Sequence, residues 1–363
     1  MKKFILSSEK MKQALKRLGL VINMKSVLPI TKNILCKVSK DQVQLITTDT
    51  DIVIMVTCVA EAAEPFELLL PYDYLNDIVS VMKPCPITIE HPSTRKIKII
   101  GDNDVHDASI EKLEEFPRIP AIPRMKFINL PENFIDLLEK ATMTASKDEL
   151  KPSLNKVCLD LQTKKSFVVS TDTFCLYRHE LDVKANEAEQ LLISAKTIKA
   201  LSGVESMSLS WTDKLIAFSN DNVAVLFKRT EDKYVNYKAA IPDNEPNLEI
   251  DKEVLSDALG KAGLISDGAG RVTIHLKKEE GKLIFDSDDE ELGRKNNVTI
   301  ASNYTGETDA VSINGKKLLS VLDQVDAQKV KLHIYNPQRA VLVTSDDDKE
   351  YLGMIMPLQN KTN

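Results

Sequence analysis

No stretch of this sequence stays apolar for anything near the roughly 20 residues that a membrane-spanning helix needs, so no membrane role is expected. Cysteine is sparse and carries no pairing pattern. Cys36, Cys58, Cys85, Cys158 and Cys175 form no C-x-x-C, and their odd number points to reduced, buried thiols. The opening MKKFILSSEKMKQALKRL begins basic but soon turns charged and amphipathic, unlike a signal peptide, so a cytoplasmic protein is expected. His91, His106, His179, His275 and His333 lack metal-ligand spacing. GLISDGAG (263–270) has the outline of a P-loop without its Lys–Ser/Thr, and DSDDEELG (286–293) places Glu291 where an EF-hand needs glycine. No nucleophile stands paired with a base. Together these absences argue against an enzyme and against any metal or cofactor. Excess positive charge is lacking too: 54 acidic against 48 basic residues give −6. That sum disfavours a nucleic-acid partner unless the charges are segregated onto separate faces.

What is present is repetition. A chain of 363 residues, 43% hydrophobic and 28% charged, is globular and too long for one ordinary core. LITTDTDIVI (45–54) returns as VVSTDTFCLY (168–177), with Asp49 and Asp172 separated by 123 residues. A degraded third copy, LIFDSDDEEL, puts Asp288 a further 116 residues on. A strand-then-helix phrase opens each third, and Met11, Phe134 and Leu255 hold the same place at spacings of 123 and 121. In the first copy Met11, Ala14, Leu15 and Leu18 form one helical stripe, with Lys12, Lys16 and Arg17 away from it. A second strand-then-helix phrase aligns Pro71, Ser194 and Asn314, where helices begin.

Between the helical phrases lie alternating strands such as VQLITTDTDIVIMVTCV, VAVLFKR and AVLVTS. Proline-rich joints at PRIPAIPR (117–124) and PDNEPN (242–247) read as linkers. The expected fold is α+β: three tandem copies of one domain, with two helices on antiparallel sheets, over 1–124, 125–246 and 247–363.

In order along the chain, SVLPITKNILCKV, LITTDTDI, EEFPRIP, VVSTDTFCL, YTGETDAVSINGKKLLSVL and MIMPL resemble phrases of the bacterial DNA polymerase III beta subunit family, the sliding clamps. The resemblance runs end to end. It implies a clamp-type domain used three times and a head-to-tail homodimer closing as a six-domain ring around double-stranded DNA, without reading sequence. DNA polymerase, clamp loader and repair proteins would dock through short peptides.

Carried over residue by residue, the resemblance implies a peptide groove of Leu154, Thr171, Thr173, Phe174, Cys175, Leu176, Val235, Ala239, Ala240, Met354, Met356, Pro357 and Leu358. Thioethers suit a surface that repacks around different apolar anchors. The DNA-facing set is Lys12, Lys16, Arg17, Lys25, Lys196, Lys199, Lys316 and Lys317. Lys196, Lys316 and Lys317 stand in a helix's first turn, against the macrodipole. Ile110 on one copy and Leu264 with Ile265 on the other are the implied dimer contacts.

Three departures stand out. Thr173, Phe174, Cys175 and Leu176 replace the family's common Gly-His-Arg-Leu, which points to a more apolar pocket. Asp73 stands where a basic residue is usual, and Asp148 replaces a polar DNA-facing residue. The leading expectation is a non-catalytic processivity factor. A divergent clamp-derived interaction scaffold is the alternative.

Overall fold

The computed structural model describes residues 2–93, 95–101, 103–124 and 126–359. Six α-helices occur among these: α1 (Ser8–Leu18), α2 (Tyr72–Val81), α3 (Phe134–Thr142), α4 (Ala195–Leu201), α5 (Lys252–Ala262) and α6 (Gly315–Asp323). Two fall in each third of the chain. The Ser7 side chain caps α1 by accepting from Glu9 N–H at 3.2 Å. Asp251 caps α5 through Glu253 and Val254, and Asn314 caps α6 through Lys317 N–H at 2.9 Å. Each cap satisfies amides that the helix itself leaves unbonded.

α1 buries Met11, Ala14, Leu15 and Leu18, and α5 buries Leu255, Ala258, Leu259 and Ala262 at corresponding positions. Burying each such leucine stabilises the fold by about 1.5–3 kcal/mol.

The backbone forms two compact units, Met1–Ile135 with Lys196–Thr230, and Asp136–Ala195 with Glu231–Asn363. They do not coincide with the sequence thirds, because sheets run across the repeat boundaries. In the first unit, Phe66–Pro71, Asn33–Val38, Gln42–Thr48 and Ile52–Val59 from the first third continue into Val223–Lys228, Leu215–Ser219, Ser208–Trp211 and Lys126–Asn129 from the second. The eight strands form one antiparallel sheet, joined where Ile54 lies opposite Val225. A five-stranded sheet of the same unit ends on Val105–Ser109.

The second unit repeats the construction. Glu189–Ser194, Lys156–Leu161, Ser166–Thr171 and Cys175–Leu181 join Tyr351–Ile355, Val341–Thr344, Lys329–His333 and Leu248–Asp251, with Tyr177 opposite Gly353. Glycine is required there, since a Cβ would lie 2.3 Å from Tyr351 Oη and 2.5 Å from Val321 Cγ1. A four-stranded sheet of this unit ends on Arg294–Ala301. The second proline-rich joint is packed rather than loose: Asn247 is buried and donates to the Ile334 carbonyl at 2.5 Å. Ile119 and Ile122 of the first lie against the core around Leu35, Val53 and Leu226.

Candidate functional site

The repeated Thr–Asp–Thr phrase makes the same turn twice, each time in a backbone shape that β-branched residues avoid. Thr50 has φ +82° and Thr173 φ +81°. Hydrogen bonds hold both. The Thr48 hydroxyl accepts from Thr50 N–H at 2.9 Å, and that of Thr171 accepts from Thr173 N–H at 3.1 Å. Asp49 Oδ1 accepts from Asp51 and Ile52, while Asp172 Oδ1 accepts from Phe174 and Cys175.

The second carboxylate oxygen then reaches into the next repeat. Asp49 Oδ2 is ion-paired with Lys196 in the first turn of α4, and Asp172 Oδ2 with Lys317 in the first turn of α6. The partners are 147 and 145 residues apart, so this is one joint built twice. Burial works to raise the Asp49 carboxyl, but the Lys196 hydrogen bond and two backbone amides outweigh it and hold the group below its ordinary 3.8. A sequence reading assigns Asp49 to the turn alone. The missed signal is the near-constant Asp-to-Lys spacing.

The cations sort by what they touch. Lys196 and Lys317 are committed to these aspartates. Arg17 donates to the carbonyls of Ala200 (3.0 Å) and Ser202 (3.1 Å), where α4 ends. Its repeat counterpart Lys140 pairs with Asp326, just past α6. Lys12 donates to Ser80 O at 2.8 Å. Lys16, Lys25, Lys199 and Lys316 are exposed and make no ion pair among the described residues.

The thirteen groove candidates all lie in the second unit, in two layers. Leu154, Leu176 and Met354 are buried in one apolar cluster with Tyr234, Tyr237 and Leu342, and Met356 packs partly buried against it. Thr171 and Cys175 are buried alongside, and burial pushes the Cys175 thiol up to about 12, leaving no thiolate near neutrality. Thr173, Ala239 and Ala240 are exposed, as are Phe174 (51%) and Val235 (39%). Pro357 and Leu358 are half-buried, and Leu358 N–H donates to Ser312 O at 2.7 Å.

Phe174 links the layers. Its carbonyl accepts from Met356 N–H at 2.7 Å, and Lys317 Nζ lies 5.3 Å from its ring centroid. An open cavity of about 520 Å³ beside it is lined by Met143, Lys147, Lys151, Cys175 and Lys316.

One residue that organises this surface was not expected. Asp160, fully buried in strand Lys156–Leu161, accepts from Tyr237 Oη at 2.6 Å and pairs with Lys238 at 2.9 Å. It pins the turn that presents Val235, Ala239 and Ala240. An aspartate inside the apolar run VCLDL was the available clue.

The dimer-contact candidates differ in setting. Leu264 is 82% exposed after α5, Ile265 beside it is half-buried, and Ile110 is buried at 7%. Ile110 borders an open cavity of about 670 Å³ with Leu68, Leu69 and Leu113.

The models of the N-terminal, central and C-terminal domains of the DNA polymerase III beta subunit match residues 2–120, 130–235 and 238–359. The chain belongs to the DNA polymerase III beta subunit family. Its fold is three clamp domains. Among curated relatives, the beta sliding clamp of Bacillus subtilis is 19% identical over 98% of this chain and 99% of that protein. That of Rickettsia felis is 23% identical over 99% and 100%.

Solved beta subunits share the fold. The one from Pseudomonas aeruginosa superposes with TM-score 0.91 at 19% identity, covering 99% of this chain and 100% of that one. The Helicobacter pylori beta clamp, bound to a DNA ligase peptide, gives 0.87 at 18% over the same shares. At such identities the likeness shows the clamp fold alone.

Proposed function

We propose that this protein is a sliding clamp of DNA replication. Two copies close head to tail as a ring of six domains around duplex DNA, and a groove on each tethers DNA polymerase, clamp loader and repair proteins through short peptides. The chain acts without catalysis, metal or cofactor, in the cytoplasm, with domains over 1–124, 125–246 and 247–363.

The observation that carries this reading is a pair of open sheet edges. At both internal joints the strand after the aspartate turn pairs with the last strand of the following repeat: Ile52–Val59 with Val223–Lys228, and Cys175–Leu181 with Tyr351–Ile355. One strand of each kind is left over. Arg294–Ala301 follows the third turn, Val105–Ser109 ends the first repeat, and each is an edge among the described residues. A second copy supplies the missing partner for both, and two copies pair both of these edges.

Exposed Leu264 of one copy then faces the cavity beside Ile110 of the other. Lys16, Lys25, Lys199 and Lys316 supply mobile phosphate contacts weak enough to permit sliding. Peptide anchors enter between Leu176, Met354 and Met356 on one side and Phe174, Val235 and Pro357 on the other.

Light scattering at low micromolar concentration tests closure, and the expected mass is twice 40.6 kDa. The ring should also stay on nicked circular DNA and run off once the circle is cut. A protein of 40.6 kDa that never stays on a circle would instead be the divergent scaffold, a reading that Asp73 in α2 favours.

A further inference from the structure

The internal joints give an internal standard for the joint that copies must form. Each holds an aspartate whose Oδ1 accepts the N–H three residues on and whose Oδ2 grips a lysine of the next repeat. In the third repeat that aspartate is Asp289, one residue beyond Asp288, which the sequence spacing selects. Asp289 Oδ1 accepts from Leu292 N–H at 3.1 Å, again three residues on. Two residues earlier, the Ser287 hydroxyl donates to Ala262 O at the end of α5, as Thr47 does to Leu18 O at the end of α1. Asp289 is half-buried and joins no ion pair among the described residues.

The receiving position on the first repeat is equally defined. Lys196 is the second residue of α4 and Lys317 the third of α6, while the second and third residues of α2 are Asp73 and Tyr74, neither of them basic. Asp73 is exposed and lines a cavity of about 490 Å³ with Glu111 and Glu115, where Lys32 is the cation. Within the hairpin Lys295 lies opposite Asp288 and Arg294 opposite Asp289, which puts Arg294 on the face of Asp289, exposed and in no ion pair among the described residues.

On the ring reading above, we propose that the joint between copies lacks the lysine lock of the internal joints and sets carboxylate against carboxylate, Asp289 facing Asp73 of the partner subunit. The ring is thereby weakest where it must open to admit DNA, and a cationic group presented to that joint favours closure.

Sedimentation equilibrium of the full chain at low ionic strength tests this. Asp73→Lys should tighten the dimer about three- to tenfold, with the gain shrinking as salt is added. Asp289→Asn keeps the oxygen that Leu292 N–H needs and should tighten it about twofold. In that background Asp73→Lys should gain less, because the lysine has lost its carboxylate. Thermal melting of each variant confirms folding independently. A wild-type dimer indifferent to both substitutions, or weakened by Asp73→Lys, overturns the mismatch and leaves the ring standing. Monomers in wild type and Asp73→Lys at every concentration overturn the ring reading itself.

Discussion

Thr50 and Thr173 each adopt a left-handed backbone that disfavours a β-branched residue by about 1–2 kcal/mol. Around Thr173 the strain is offset by the hydroxyl of Thr171, the carboxylate of Asp172 and the ion pair to Lys317. Holding the turn in that shape presents Phe174 outward, half exposed, with its carbonyl fastened to Met356. At the rim of the proposed groove, such a ring would contribute to binding far more than to folding. Phe174→Ala should therefore change stability by less than about 0.5 kcal/mol while weakening a labelled polymerase-tail peptide about tenfold or more by fluorescence anisotropy. Unchanged peptide affinity would remove Phe174 from the groove.

Among the elements, the joint turns matter more than any single helix. The Asp49–Lys196 pair fastens the first repeat's sheet turn to α4, while Arg17 fastens α1 to the far end of that helix. Because the Asp49 carboxyl is held below its ordinary 3.8, it favours the folded state fully above that value. The contribution disappears as pH falls through the depressed folded value. Melting temperatures taken from pH 7 downward should therefore fall more steeply for wild type than for Asp49→Asn, which keeps the turn's acceptor and loses the charge. Parallel acid limbs would show that the pair contributes nothing net, as many exposed pairs do.

For the whole molecule, the net charge of −6 conceals two opposite demands. DNA contact needs cations that are not already committed, and the joints consume several. Retention on circular DNA should weaken with salt. Lys25→Ala should reduce the slope of log affinity against log salt by about one for each copy's lost contact. Lys196→Ala should move that slope less, since its ammonium is committed to Asp49. Equal slope changes for the two variants would place Lys196 on the DNA after all. Dimer closure should respond to Asp73 in the other direction, with salt relieving repulsion there.

Periodicity alone determined a great deal. The threefold repeat, the α+β class, the capped helix at Asn314 and the buried stripe of α1 are local properties, written in 3.6- and 2-residue patterns and in capping chemistry. The beta subunit family was legible too, in the order of its phrases, and the groove candidates do gather in one unit. Partnership was not legible. That Asp49 grips Lys196, that Asp160 pins the Tyr237 turn, and that Asp289 rather than Asp288 completes the series depends on backbone ladders between residues far apart in the chain. Sequence records which groups a residue carries. Only the register of the folded strands decides which of those groups meet.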